Sequence, residues 1–321
     1  MINLDLKDRR ILYELDTNSR QFFNQIAKKV GLSKDAVIYR INLLKKEGII
    51  KKFHTIVDVG KLGFISFRLY LKLQNTTPEK EEEIIEYLKK QKSIIWIVSI
   101  DGEYDIGMSI LTKSIKEINV LWKEITEKYV NYIEKKFFGI YTHVSSFPKQ
   151  YLLDKKTNNE EYAFVTEPEE SNLDPKDLEI IKILAGDSRI PVLKLSERVS
   201  LNPKTIISRI RNLEKKKIII GYRTMFDLEK LGYQYFKLHF NLHNVTKDKK
   251  DLFNQYIFQH PNIVYNNEII GGDDFEIEVQ TKDLKEFRNI IEEIKKNFSS
   301  IIKDYKYMLY YKEHKSTFFP V

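Results

Sequence analysis

The chain has 321 residues, no Cys and a formal net charge of +8. This length is enough for two to four domains with their own cores. The lack of Cys excludes a disulfide framework and any cysteine-based metal site or nucleophile. No run reaches the ~18 apolar residues of a membrane span, and the N-terminal residues lack the apolar core of a signal peptide. We therefore expect a cytoplasmic protein with no membrane partner.

Positive charge is concentrated in two stretches of the chain. Residues 1–55 contain 12 Lys and Arg against 6 Asp and Glu, and residues 173–224 contain the same numbers. Each stretch has a net charge of +6, so the remainder carries −4. Such clustering favours a polyphosphate partner. The alternative is that the Lys residues only keep these helices soluble, since a run of charged residues is usually just a solvent-exposed face.

The first basic stretch has the pattern of a helix-turn-helix. Residues 4–16 and 23–30 are predicted helices, and Gly31 begins the turn that follows them. A third helix is predicted to start after Ser33, a favourable N-cap residue, and to end at Gly48. Its apolar residues fall at i, i+4 and i+7, so one side is buried and a polar side is exposed. This arrangement is typical of DNA-binding modules.

Residues 60–148 change to alternating strands and amphipathic helices. Residues 49–59, just before them, alternate β-branched and polar residues, as in a strand or small wing. The order strand-helix-strand-strand-helix-strand predicts a ferredoxin-like antiparallel sheet with both helices on one face. We expect the uncovered face to pack on a second such sheet. The predicted elements are a strand at 66–74, a helix at 77–90, strands at 94–100 and 105–111, a helix at 115–128 and a strand at 133–145.

The whole plan occurs twice, at an offset of 169 residues and without a gap, which indicates a tandem duplication. Residues 149–172 between the copies are polar, then acidic, and are predicted to be a linker. The alternative for segments 151–153 and 162–165 is that they pair along a sheet edge. Aligned pairs include Leu4 with Leu173, Asp5 with Asp174, Arg40 with Arg209, Gly102 with Gly271 and Asp105 with Asp274. The predicted elements of copy two are helices at 173–185, 193–199 and 203–216, a wing at 218–227, a strand at 235–243, a helix at 247–259, strands at 263–269 and 274–280, a helix at 284–297 and a strand at 301–312.

Together these motifs resemble the Lrp/AsnC transcription regulators, also called feast/famine regulators. The resemblance covers nearly the whole chain twice. Family members usually have one unit per chain and assemble from dimers, so the resemblance implies a dimer fused into one polypeptide and further homo-oligomers. In copy one it rests on Leu4, Asp5, Asp8, Ile11, Leu12, Asn18, Ser19, Arg20, Gly31, Leu32, Ser33, Arg40, Ile41, Gly48, Ile49 and Ile50, with the GxYD turn of Gly102, Tyr104 and Asp105.

The predicted fold class is therefore α+β, with two winged helix-turn-helix domains, each followed by a ferredoxin-like βαββαβ domain of the dimeric α/β-barrel type. The predicted function is that of a sequence-specific regulator that binds double-stranded DNA. The predicted domains are residues 1–58 and 59–148 for copy one, a linker at 149–172, and residues 173–227 and 228–321 for copy two.

The exposed faces of the two recognition helices differ, since Asn42 aligns with Arg211 and Tyr39 with Ser208. Asn can bond adenine bidentately and Arg can bond guanine, whereas Lys and Ser often contact phosphates. We therefore expect an asymmetric operator, with half-sites one helical turn or a multiple of it apart. The candidate DNA-binding residues are Ser33, Lys34, Asp35, Tyr39, Arg40, Asn42 and Lys46 in copy one, and Asn202, Lys204, Thr205, Ser208, Arg209, Arg211 and Lys215 in copy two. Arg40 and Arg209 lie at the edge of the apolar stripe and are expected to bind helix ends or phosphates.

The resemblance also implies an amino acid-like effector near the GxYD turn, between the sheet domains of neighbouring dimers. In copy two Asp273 replaces the aromatic residue of this turn. The alternative is purely structural, because a tight turn needs Gly for its backbone angles and Asp for its hydrogen bonds. The candidate effector-binding residues are Gly102, Tyr104, Asp105, Gly271 and Asp274.

Three other functions are alternatives: an architectural DNA-coating protein, a sirohaem decarboxylase and a metal site. An architectural DNA-coating protein would use the same basic modules without choosing a sequence. Sirohaem decarboxylases look like this family and occur as fused pairs, but they carry a His-x-Tyr-Asn-type stretch where residues 100–105 and 270–275 of this chain have no His. His239 and His243 are four residues apart in a predicted strand with no nearby Cys or carboxylate ligand, so we expect packed or solvated histidines. No catalytic residue, cofactor or metal is predicted.

Overall fold

The first copy folds in the predicted order, with bounds within two residues of those expected. In this computed structural model the described residues are 4–153, 161–165, 167–169, 171–317 and 319. Asp5 caps the first helix by accepting from the backbone N–H of Asp8, 2.8 Å away. The elements are α1 (Leu6–Thr17), α2 (Phe23–Val30), α3 (Lys34–Lys46), β1 (Ile50–Val57), β2 (Ile65–Leu73), α4 (Pro78–Lys90), β3 (Ile94–Asp101), β4 (Ile106–Thr112), α5 (Ile115–Tyr129) and β5 (Ile133–Ser146).

The second copy repeats the plan with two differences. Its last strand runs four residues beyond the predicted end, and a short helix that the sequence analysis missed lies between Asp227, its cap, and Gly232. Between the copies lies β6 (Tyr162–Val165), and the elements of copy two are α6 (Pro175–Gly186), α7 (Val192–Val199), α8 (Pro203–Lys215), β7 (Ile219–Phe226), α9 (Leu228–Leu231), β8 (Gln234–Leu242), α10 (Lys247–Gln259), β9 (Ile263–Ile270), β10 (Phe275–Thr281), α11 (Leu284–Phe298) and β11 (Ile302–Ser316). None of the helices in the described ranges is long and apolar enough to cross a membrane.

The two ferredoxin-like sheets join edge to edge into one closed barrel. The strand order is β2-β4-β3-β11-β8-β10-β9-β5, and β5 also pairs with β2 and closes the ring. The first half of β5 bonds to β2 of its own copy, and the second half bonds to β9 of the other copy. β11 does the same with β8 and β3. The predicted α+β class is confirmed. The expectation that two separate sheets pack on each other was incomplete, because each last strand is long enough to enter the other sheet and joins the two sheets into one barrel.

One of the two segments between the copies pairs along a sheet edge, and the other does not. Residues 162–165 form β6, which pairs with β5 along its edge, as predicted. Residues 151–153 do not pair along an edge, because Gln150–Leu152 form a turn of 3-10 helix and Leu152 packs into the core of the first helix-turn-helix. Residues 154–160, 166 and 170 of the predicted linker lie outside the described residues.

Apolar and polar side chains divide between the outside and the inside of the barrel. Alternate residues of β2 and β8 pack under the helices in two apolar clusters, for example Leu69 in copy one and Leu238 in copy two. The residues between them point inward, and these include Arg68 and Lys237, which are buried. Because a closed barrel leaves no strand edge unpaired, the inward side chains are shielded on all sides.

A buried ionic cluster fixes the first helix-turn-helix against the barrel. Asp16 at the end of α1 lies 2.8 Å from the ammonium of Lys149 and also pairs with Arg223 of β7. Arg223 in turn donates to the carbonyl of Phe147, just after β5, at 2.8 Å. Burial opposes ionisation of Asp16, but the charges of Arg223 and Lys149 outweigh it and hold the pKa of this carboxyl below its ordinary value.

We expect Asp16→Asn to lower the free energy of unfolding at pH 7 by about 3–5 kcal/mol, because two cations remain buried without a carboxylate. The folded pKa of Asp16 lies below the unfolded value of about 3.9, so its contribution is present above that pH and is lost as the pH falls through the folded pKa. Urea unfolding should therefore show the parent and the variant converging on acidification. The control Glu124→Gln, on an exposed position of α5, should change stability by less than about 0.5 kcal/mol. A difference independent of pH would contradict the role of this charge.

Candidate nucleic-acid interface

The recognition helix of copy one presents the predicted polar face to solvent. Ser33 caps α3 by accepting from the backbone N–H of Ala36 at 3.2 Å, and Gly31 has the positive φ of +65° that ends α2. Val37, Ile41 and Leu44 are buried, as their spacing predicts. The exposed candidates of this helix are Lys34, Asp35, Tyr39, Asn42 and Lys46.

The recognition helix of copy two has the same geometry with a different surface. Asn202 caps α8 by accepting from the backbone N–H of Thr205 at 2.8 Å. Lys217 adopts a φ of +55° where copy one has Gly48, so the chain leaves the helix in the same way without glycine. Thr205 is half-buried, and the exposed candidates are Asn202, Lys204, Ser208, Arg211 and Lys215.

Arg40 and Arg209 are held within the protein. The Arg40 guanidinium lies 2.7 Å from Asp5 and 2.8 Å from Asp8, at the start of α1. Arg209 repeats this arrangement with two Asp residues of copy two. Both Arg therefore brace the recognition helix against the first helix of its module, which is the first of the two roles considered for them. Their donors are less available to phosphates than those of the other candidates.

The two modules are joined by a junction with an approximate two-fold axis. Strand β1 pairs antiparallel with β7, and the hydroxyls of Ser19 and Ser188 meet at 2.7 Å. Because the two Ser are 169 residues apart, this bond lies on the axis that relates the copies. Three further pairs of hydrogen bonds are related by this axis. The backbone N–H of Ser19 donates to the carbonyl of Tyr222, and that of Ser188 to the carbonyl of Phe53. The hydroxyls of Thr55 and Thr224 donate to the carbonyls of Leu184 and Leu15, and the guanidinium groups of Arg20 and Arg189 donate to the carbonyls of Ser188 and Ser19.

The junction sets the recognition helices in one fixed relation. Each equivalent pair contains one bond from either copy, so a rotation of one module would break bonds on both sides of the axis. The side chains of Thr55 and Thr224 are buried, which shields their bonds from water. A protein with two such modules can contact two half-sites of a duplex only at the separation that this junction imposes.

The GxYD turn of copy one and the aligned turn of copy two use their last Asp residues to hold the sheet. Asp105 accepts from the backbone N–H of Leu73 at 2.6 Å and pairs with Lys72 at 2.8 Å. Asp274 accepts from the backbone N–H of Leu242 at 2.7 Å. Both carboxylates thus tie the turn to the end of β2 or β8, the first strand of the ferredoxin-like domain in the same copy, as the structural alternative requires. This leaves them poorly placed for an effector.

The other three candidate effector residues line two cavities. Tyr104 and Gly271 line one cavity of about 250 Å3, in which the two turns meet. Gly102 lines a second cavity of about 300 Å3 beside α11. A Cβ on Gly271 would lie 3.0 Å from the carbonyl of Phe138, and its φ is +97°, so this position requires glycine.

Several residues of these surfaces were missed by the sequence analysis. Leu43 and Ile207 are apolar but exposed on the recognition helices. They were not named as candidates, although their spacing places them outside the buried stripe. His239 is packed, which was one of the two expectations, but the nearby carboxylates were not expected. Its Nδ1 lies 3.1 Å from Asp273 and 3.4 Å from Glu276. Pairing of β8 with β10 brings His239 to the turn of its own copy, and the closed barrel brings it to the other copy, so no local pattern predicted these contacts.

These surfaces define a DNA-binding regulator, and two family models agree with that class. Residues 4–51 match the model described as winged helix-turn-helix DNA-binding, and residues 173–214 match the AsnC-type helix-turn-helix domain. The HTH-type transcriptional regulator Ptr1 of Methanocaldococcus jannaschii is 34% identical over 128 residues, which are 39% of this chain and 81% of that protein. The regulator FL11 of Pyrococcus horikoshii is 32% identical over 118 residues, or 37% and 77% of the two chains. The chain belongs to the Lrp/AsnC family of helix-turn-helix transcription regulators, as its motifs indicated.

A solved structure matches the fold over almost the whole chain. The siroheme decarboxylase NirDL covers 98% of this chain and 94% of its own with a TM-score of 0.64, at 13% identity. At this identity the likeness is one of fold alone. It extends over both copies, whereas the curated relatives above each match about two fifths of this chain.

We expect Lys46→Ala to weaken binding to duplex DNA of random sequence and to reduce the slope of log K against log salt by about 0.9, because one phosphate contact is lost. The measurement is fluorescence anisotropy at several salt concentrations. The control Lys123→Ala, on an exposed position of α5, should leave the slope unchanged. Equal slopes for the parent and Lys46→Ala would remove this residue from the interface.

Proposed function

We propose that this regulator is a fused pseudo-dimer that reads an asymmetric operator in double-stranded DNA. The observation that carries the proposal is the contrast between the junction and the recognition faces. The junction bonds repeat in both copies, so both modules engage DNA together. The exposed faces differ, since copy two has Arg211 where copy one has Asn42, and Ser208 where copy one has Tyr39.

The differing faces favour different bases in the two half-sites. Asn42 fits adenine, which offers one donor and one acceptor in the major groove, and Arg211 fits guanine, which offers two acceptors. Tyr39 is 69% exposed and adds an aromatic surface that copy two lacks. A symmetric dimer has two identical recognition faces and reads a palindrome. The two recognition faces of this chain differ, so they are expected to read two unlike half-sites.

The fused pairing is supported by the charges inside the barrel. Lys237 lies 2.7 Å from Glu276 and 3.1 Å from Glu278, and Arg68 of copy one lies 3.5 Å from Glu278. All four side chains are buried. Two cations therefore balance two carboxylates when copy one pairs with copy two.

Neither copy could balance these charges by pairing with itself. The residues of copy one that align with the two Glu are Gly107 and Ser109. Two first copies would bury two Arg68 without those carboxylates, and two second copies would bury four Glu against two Lys. Since an unpaired buried charge costs roughly several kcal/mol, the interior favours the mixed pair.

We further propose that the chain forms homo-oligomers, acts in the cytoplasm and responds to an amino acid-like effector. Large apolar side chains exposed on the outer helices support assembly, among them Ile115 on α5 and Leu252 on α10. The effector is supported by the cavity that Tyr104 and Gly271 line together.

Two other functions make different predictions. An architectural protein would bind DNA without enriching a sequence. A sirohaem decarboxylase would show tetrapyrrole absorbance after purification. The NirDL likeness favours that alternative by fold only, and the residues of both turns include no His.

Selection of randomised duplex DNA with the purified protein should enrich a motif with two unlike halves. We expect Asn42→Ala to relax the choice of base in one half and Arg211→Ala in the other, at about 1–3 kcal/mol for each lost bidentate contact. The control Lys123→Ala should leave the motif unchanged. Perfect palindromes would refute the asymmetric operator, and DNA binding without any motif would favour the architectural function.

The mixed pairing is tested by a protease site inserted within residues 154–160. After cleavage, unfolding in urea and refolding, native mass spectrometry should find complexes of one first half with one second half. Replacing both Glu276 and Glu278 by Gln should reduce this preference, because copy two then no longer supplies the carboxylates. Homodimers of either parental half in comparable amounts would contradict the charge argument.

A further inference from the structure

The outer surface of the barrel has an apolar face where the two copies join. There β5 of copy one pairs with β9 of copy two, and Ile140 lies opposite Ile270. Ile270 is 66% exposed, and Ile115, the first residue of α5, is 68% exposed. Phe138 and Ile65 are partly buried against the core beneath the helices of copy one. We call this set of five side chains face one: Ile65, Ile115, Phe138, Ile140 and Ile270.

The approximate two-fold axis places an equivalent set of positions, face two, where β11 meets β3. All five of its residues line one cavity of about 300 Å3, so they are neighbours in space. Because the axis relates the two sets, the five residues of face one are neighbours as well and form a contiguous apolar surface. The residues of face two, in the order of the face-one residues with which they align, are Gln234, Leu284, Tyr307, Leu309 and Asp101.

The two faces differ in polarity. Face one consists of isoleucines and a phenylalanine, whereas face two has an amide, a phenol hydroxyl and the exposed carboxylate of Asp101. Trp122 of α5 extends face one, because its ring packs on Phe138 with the centroids 5.3 Å apart. A contiguous apolar surface with side chains as exposed as Ile115 and Ile270 marks an interaction site.

Charge selects the partner of face one. Two chains can meet through face one twice, through face two twice, or through one of each. The last two contacts bring Asp101 into the interface, and a carboxylate that loses water without gaining a cation is costly. In a mixed contact Lys136, whose ammonium lies 4.3 Å from the centre of the Trp122 ring, could pair with Asp101, but the amide of Gln234 would then lie against isoleucine. Only the contact of face one with itself buries no polar side chain of either face.

We propose that two copies of this chain associate through face one packed against face one, and that the assembly ends at two chains. A face that meets itself generates a two-fold axis, and face one is then covered on both chains. A dimer of identical units has two equal faces and can extend further. The inference rests on the proposed homo-oligomers and names their interface and their size. The pair presents four recognition helices, so it can hold two operators at once.

The experiment is sedimentation equilibrium of the full chain, without DNA, over a range of concentrations. We expect a reversible equilibrium between one chain and two. Ile270→Asp gives face one the residue that face two has at the aligned position, and it should raise the dissociation constant at least about tenfold. The matched control Leu284→Asp changes an exposed leucine of face two and should leave the dissociation constant unchanged.

The opposite exchange tests why the assembly ends at two chains. Asp101→Ile makes face two more apolar at the position that corresponds to Ile270. We therefore expect assemblies of more than two chains at concentrations where the parent forms pairs. An Asp101→Ile variant that still ends at two chains would contradict the proposed limit.

Circular dichroism shows whether each variant is folded, and Ile115→Asp takes the place of Ile270→Asp if the latter is not. A parent that remains one chain up to its solubility limit would overturn this inference together with the proposed homo-oligomers. An unchanged dissociation constant in folded Ile270→Asp, a weaker association in Leu284→Asp or a parent larger than two chains would overturn this inference alone. Operator selection is scored separately, so the test of DNA reading does not depend on these results.

Discussion

The pairing of strands between the two copies is the constraint on which the rest of the structure depends. Each copy ends in a strand of 14 or 15 residues, long enough to complete its own sheet and then enter the other one. The same exchange occurs between β1 and β7 at the helix-turn-helix modules. Because the second half of each last strand is paired only across the copies, the barrel closes only when both copies contribute to it.

Covalent fusion releases the two copies from having to be identical. The bonds nearest the axis, such as Ser19 to Ser188, keep their symmetry, since both modules need the same support. Away from the axis the copies differ in charge. Asp16 and Arg223 form a buried pair whose aligned residues are Ala185 and His54, and burial together with the charge of Arg223 lowers the pKa of His54. Divergence therefore acts on the recognition faces, the barrel interior and the shared cavity, where a symmetric dimer would be restricted.

The sequence predicted the elements well because they are encoded locally. Caps such as Asp5 and Asn202 and the spacing of Val37, Ile41 and Leu44 define helices through contacts within a few residues. The roles of Arg40 and Arg209 were only half predicted, since their Asp partners lie more than thirty residues away. Asp105 and Asp274 were candidates either for an effector site or for a purely structural turn, and the main-chain bonds that they make favour the structural alternative.

By itself the sequence determined the duplication, the fold class, the family and the exposed faces of the recognition helices. These follow from periodicity and from a repeat of fixed offset, which are properties of order along the chain. Only the tertiary structure decided which strand pairs with which, where Arg68 finds its counter-charge, and that His239 faces Tyr70 across an axis. Such contacts join residues up to about two hundred positions apart, and the burial that makes them strong exists only after the barrel has closed.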